Sequence, residues 1–157
     1  MTKSAFLIPC TLLLSASFLI QCKPEVTAFE VNESIWAIQE CHENDDNAYS
    51  SLQEDIIGTW KWQYTSCPSS SDPTVIGNFS KDNTRVIFRE DGSVTYQTDS
   101  TTVNTTYAFV LTQGNVTPNI QFGESFGLWG NFYMCKDEIA FINSPVDGCD
   151  QLLLKQD

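Results

Sequence analysis

From Asp55 to the C-terminal end the chain runs in short apolar/polar alternations, each closed by a turn signal, and nowhere holds the period of a helix. No other feature constrains the fold as tightly. Trp60, Trp62 and Tyr64 alternate with Lys61, Gln63 and Thr65. Thr84–Glu90 and Ser93–Thr98 flank Asp91-Gly92, a dipeptide suited to a two-residue hairpin. Val103–Thr112, Val116–Phe122, Leu128–Cys135, Glu138–Asn143 and Cys149–Lys155 follow, parted by Gln113-Gly114-Asn115, Lys136-Asp137 and Pro145-Val146-Asp147-Gly148 among others. The pattern predicts an all-β domain over 55–157, an eight-stranded antiparallel up-and-down barrel. Closure of such a meander removes the exposed edges of an open sheet. Alternate loops then share an end, which places 68–83, 99–102, 123–127 and 144–148 on one rim, with 68–83 over the mouth.

The residues before 55 are of two other kinds. Residues 1–21 hold Lys3 and then the apolar run Ala5–Ile20, too short for a comfortable membrane span and placed as a signal peptide is. Its end, Leu19-Ile20-Gln21-Cys22, resembles the lipobox of bacterial lipoproteins, with Gln21 where a small residue is usual. The resemblance implies cleavage before Cys22, acylation of its thiol, and a home in the bacterial cell envelope as an outer-membrane lipoprotein anchored by its acyl chains. Residues 22–54 form an acidic tether in which Asn32-Glu33-Ser34 can cap a short helix reaching about Glu40, with Ile35 and Ile38 on one side. That helix either helps lift the domain off the bilayer or plugs one end of it. The Glu40–Asn47 run, which carries His42, is expected to be solvated.

Within the barrel, Ile57-Gly58-Thr59-Trp60 resembles the Gly-x-Trp signature of lipocalins. The stretch 55–157 is similar to the lipocalin-like domains of Bacteroidetes lipoproteins, with Asp91-Gly92-Ser93 and Asp147-Gly148-Cys149-Asp150 as further echoes. The resemblance implies a membrane-anchored binding protein for a small hydrophobic ligand. Trp60, Trp62, Tyr64 and Phe88 are expected to face inward as the ligand-binding residues. In lipocalins the signature Trp packs under a late Arg; here Arg85 and Arg89 both lie on the second strand, and Lys155 is the residue placed to substitute. The alternative is a solid barrel acting as an interaction module (an inhibitor, adhesin or assembly partner), since inward aromatics also simply fill small barrels. Trp129 and Tyr133 are candidates for an exposed patch in that case.

Composition narrows the chemistry. Eight Lys and Arg against twenty Asp and Glu give a net charge of −12, which argues against nucleic acid as a partner. The single imidazole, His42, is expected to be exposed and idle, so no catalytic set is assigned and an enzyme is not expected. No Cys-x-x-Cys pair suggests zinc, and Glu43, Asp45 and Asp46 lack calcium-loop spacing, so neither a metal nor another cofactor is assigned.

Four cysteines remain once Cys10 leaves with the signal and Cys22 is acylated, and strand direction chooses among their three pairings. Cys67 ends the first strand at the rim where Cys149 begins the last. With Trp60, Trp62 and Tyr64 inward on one strand, and Leu152 and Leu154 inward on the other, both thiols point outward. Cys135 ends a strand at the opposite end, where the tether carrying Cys41 must arrive. An intervening strand holds Cys135 about 20 Å from Cys149, far beyond disulfide reach. The expected bridges are Cys67–Cys149 and Cys41–Cys135.

Overall fold

The computed structural model describes residues 28–45, 48–67, 76–77, 83–111, 118–124, 127–143 and 148–157. The expected leader (1–21), Cys22 and most of the 68–83 loop lie outside the described residues. Among the described residues two helices, α1 (Ala28–Glu43) and α2 (Ala48–Asp55), precede nine strands. These are β1 (Gly58–Ser66), β2 (Ile76–Gly77), β3 (Arg85–Phe88), β4 (Ser93–Gln97) and β5 (Thr102–Leu111). The rest are β6 (Pro118–Phe122), β7 (Asn131–Cys135), β8 (Glu138–Ile142) and β9 (Asp150–Lys155).

Eight strands form a nearly closed antiparallel barrel in the order β6-β5-β4-β3-β1-β9-β8-β7, and the short β2 adds to β1 through Thr65↔Gly77 and Ser66↔Ile76. The first and last strands are hydrogen-bonded along their length, from Trp60↔Lys155 to Ser66↔Asp150. The gap falls instead between β6 and β7, consecutive in sequence and close in space but joined by no ladder among the described residues. Leu128, expected to open the sixth strand, lies before β7 in a loop and turns into the core. β5 serves two neighbours: Thr102–Thr106 pair with β4, and Tyr107–Leu111 pair with β6. At the Asp91-Gly92 hairpin, the Asp91 carboxylate accepts the backbone N–H of Ser93 at 2.9 Å and Gly92 takes φ +76°.

A bulge in β1 decides which side chains face the interior. Trp62 pairs with Leu153 and Tyr64 with Leu152, so Gln63 has no partner on β9. Trp60, Trp62 and Leu153 therefore enter the barrel core, while Tyr64 and Leu152 fall on the outer side. This corrects the expected facings of Tyr64, Leu152 and Leu154. The two reversals cancel: Ser66 opposes Asp150, and one more step brings Cys67 to Cys149, with Cα atoms 4.1 Å apart in the disulfide.

The outer layer is α1. Val31, Ile35 and Ile38, four and three apart, bury against Tyr133, Ala140, Ile142 and Leu152, with Tyr64 packed alongside. Three aliphatic side chains taken out of water are worth about 1.5–3 kcal/mol each, and Cys41–Cys135 adds a covalent fastening with Cα atoms 5.9 Å apart. The helix is longer than the sequence suggested and is clamped to the wall, neither standing off nor plugging an end. The plug is α2: Leu52 and the following Ile56 belong to the barrel core. Tyr133, expected on an exposed patch, is covered by α1 and is 8% exposed.

His42 continues the buried stripe and is 5% exposed, not solvated. Its Nδ1 lies 2.9 Å from the Met134 carbonyl and 3.3 Å from the Met134 N–H, and the tautomer decides which bond is made. It thereby occupies the strand edge that β7 turns away from β8. Across the gap, β6 begins with Pro118, which has no N–H, and the Ile120 N–H is taken by the Asn119 side chain at 2.8 Å. Both borders of the gap are thus partly sealed against strand addition.

Candidate functional site

Three of the four residues expected to bind a ligand lie in the barrel core, and each is engaged by the chain itself. Trp60 is fully buried and its indole N–H donates to the Ile56 carbonyl at 2.7 Å. The Lys155 ammonium sits 5.2 Å above its ring and also donates to the Asp55 carbonyl at 2.8 Å. Gly58 makes this possible: its φ of +137° suits glycine, and a Cβ there would lie 3.2 Å from the Lys155 stem. The Gly-x-Trp pattern and the late cation thus form one local unit, with Lys155 in the position the sequence assigned to it.

Trp62 donates its indole N–H to the Thr65 hydroxyl at 3.0 Å and toward the Tyr64 carbonyl at 3.2 Å, and meets Tyr96 edge-on at 6.1 Å. Phe88 belongs to a closed cycle of six rings. It touches Tyr107 (5.1 Å), then Tyr107–Phe109 (6.2 Å), Phe109–Phe132 (5.6 Å), Phe132–Phe141 (5.6 Å), Phe141–Phe122 (6.2 Å) and Phe122–Phe88 (6.4 Å) complete the circuit. These centroid separations are those of packed aromatic pairs. Leu52 and Ile56 fill the interior from one end, and Leu128 enters from the rim that carries Gly127. Tyr64 lies outside this set, beneath α1.

One interior atom stands apart. Gln151, 2% exposed and paired with Thr65 and Phe141, donates from Nε2 to the Cys149 carbonyl, while its Oε1 has no hydrogen-bond partner among the described residues. Burial pushes the phenols of Tyr96 and Tyr107 above their ordinary range, Asp91 adding a smaller push on Tyr107.

Outside the barrel, a cavity of about 360 Å³ opens at the plugged end, between the C-terminal end of α1, α2 and the β7–β8 turn. Its walls carry Asp45, Asp55 and Asp137, with Lys136, Lys155 and the Cys41–Cys135 bridge. It was not legible in the sequence, because its parts come from four separated segments. Among the described residues no group of His, Cys, Asp and Glu is arranged to hold a metal ion. Large exposed apolar side chains among the described residues are Trp36 on α1 and Trp129 before β7, at 56% and 50% exposure. Trp129 is where the sequence placed it; Trp36 was missed, although it falls opposite the Ile35/Ile38 side of its helix. In comparison with known proteins, the chain matches no family model, no curated protein and no solved structure.

Proposed function

We propose that the protein is a lipid-anchored interaction module of the bacterial cell envelope, a solid barrel of lipocalin-like shape whose outer surface engages another protein. The observation that carries this reading is the packing of the expected pocket residues within the core formed by the described residues. Trp60, Trp62 and Phe88, the residues best placed to line a pocket, are packed on other side chains and almost wholly removed from solvent. Small barrels are commonly filled in this way. The Leu19-x-x-Cys22 sequence supports the anchor, and two disulfides suit an oxidising compartment.

A second reading, a pocket for a small molecule inside the rim, is favoured by one observation. The buried Gln151 Oε1, unpartnered among the described residues, would be satisfied by an N–H or O–H donor. Native mass spectrometry of the protein purified from its own host separates the two. The expected spectrum shows the acylated chain with no small molecule attached. A stoichiometric low-mass adduct, lost in a Gln151→Leu variant that still folds, would replace the interaction reading by the pocket reading.

A further inference from the structure

The side of α1 turned away from the barrel has a composition that helix stability does not call for. Glu33, Trp36 and Glu40, three and four residues apart, form one line opposite Val31, Ile35, Ile38 and His42. Trp36 is 56% exposed and plays no part in docking the helix. The carboxylates of Glu33 and Glu40 have no hydrogen-bond or ion-pair partner among the described residues. No Lys or Arg occurs anywhere in α1, so the Glu-to-Lys pairing that usually neutralises an exposed helix is missing. At its C-terminal end the same helix, through Cys41, forms part of the wall of the cavity that also holds Asp45, just past the helix, with Asp55 and Asp137.

We propose, on the basis of the interaction reading above, that the outer face of α1 docks an arginine- or lysine-bearing segment of a protein partner. The cationic group stacks on Trp36 and pairs with Glu33 and Glu40. Charge decides the occupant. A second copy of a chain with net charge −12 would bring carboxylates against carboxylates. An anionic bilayer surface would be repelled by the same groups. A guanidinium or ammonium meets both demands of the surface, a ring face and flanking carboxylates, and Trp and Arg are the side chains most often found at the energetic centre of protein interfaces.

The test places a photo-reactive benzoylphenylalanine at Ala37, Glu54 or Trp129 of the full-length chain in its own host, with adducts identified by peptide mapping. The expected result is a protein adduct from position 37 whose cross-linked peptide carries an excess of Arg or Lys. Trp36→Ala, or Glu33→Gln with Glu40→Gln, should reduce its yield at least about fivefold, while Glu124→Gln leaves it unchanged. A yield at 37 no greater than at 54, indifference to Trp36→Ala, or an adduct to lipid or to a second copy overturns the proposal. An adduct from 129 alone overturns it while leaving the interaction reading in place. No protein adduct from any position overturns both.

Discussion

At the scale of single residues, Tyr133 shows how burial in the outer layer becomes a measurable property. Its ring lies under α1, edge-on to His42 at 5.7 Å. Burial, with the Glu43 carboxylate as a smaller cause, pushes its phenol above the ordinary tyrosine range. A raised phenol means that the folded chain holds the proton more tightly than the unfolded chain does. The associated stability is fully present below pH 10 and is lost as the pH climbs through the folded-state value. Urea midpoints measured from pH 9 to 11.5 should fall, and Tyr133→Phe, which keeps the ring, should flatten that fall; Tyr96 and Tyr107 supply the remainder. A variant that tracks the wild type across this window would remove Tyr133 from the account. His42 belongs to the same layer, and its burial was legible in principle: Val31, Ile35, Ile38 and His42 are one helical stripe. Of the acidic neighbours that made the segment look solvated, Glu40 and Glu43 are exposed on the helix, away from the stripe.

At the scale of elements, the two disulfides do different work. Cys67–Cys149 closes the rim end of the β1–β9 pair, whereas Cys41–Cys135 fastens α1 to β7. Each encloses a long loop, 82 and 94 residues, and removing either should cost about 2–5 kcal/mol. Hydrogen exchange distinguishes them. With Cys41→Ser and Cys135→Ser together, amides of α1 should exchange faster while β1 and β9 keep their protection; the Cys67→Ser, Cys149→Ser pair should show the reverse. Equal acceleration throughout in both variants would mean that neither bridge acts locally. The eight barrel strands and both bridges were legible because turn chemistry and strand direction are local matters, whereas the two-residue β2 fell inside the expected 68–83 loop. The position of α1 was not inferred, yet a trace of it exists. Along β3 buried and more exposed positions alternate, and along β5 from Thr102 to Phe109 half-buried and exposed ones do, whereas Phe132-Tyr133-Met134, Ile139-Ala140-Phe141-Ile142 and Leu152-Leu153 are apolar without a break. Uninterrupted apolar strands are covered on both faces, here by the barrel core and by α1. The Gln63 bulge left no comparable mark, since Trp-Gln-Tyr reads as perfect alternation and only the pairing with Leu152 and Leu153 breaks it.

At the scale of the whole molecule, charge and anchorage belong together. A chain with twenty acidic and eight basic residues has a charge balance that an anionic bilayer repels, so membrane attachment as proposed rests on the acyl chains at Cys22. Cys22→Ser expressed in the native host should move the protein from the membrane fraction to the soluble one; retention as firm as that of the wild type would refute the anchor. The strand order carries a separate consequence, for the timing of assembly. β9 lies between β1 and β8, and without it the sheet is two unconnected pieces, β6-β5-β4-β3-β1 and β8-β7. A chain synthesised or threaded through a pore N-terminus first therefore has no continuous sheet until Asp150–Lys155 arrives to pair with a strand some ninety residues upstream. Contacts of that sequence separation are slow to form, and on the export route proposed above the lateness of β9 would delay completion of the sheet until the end of the chain has emerged.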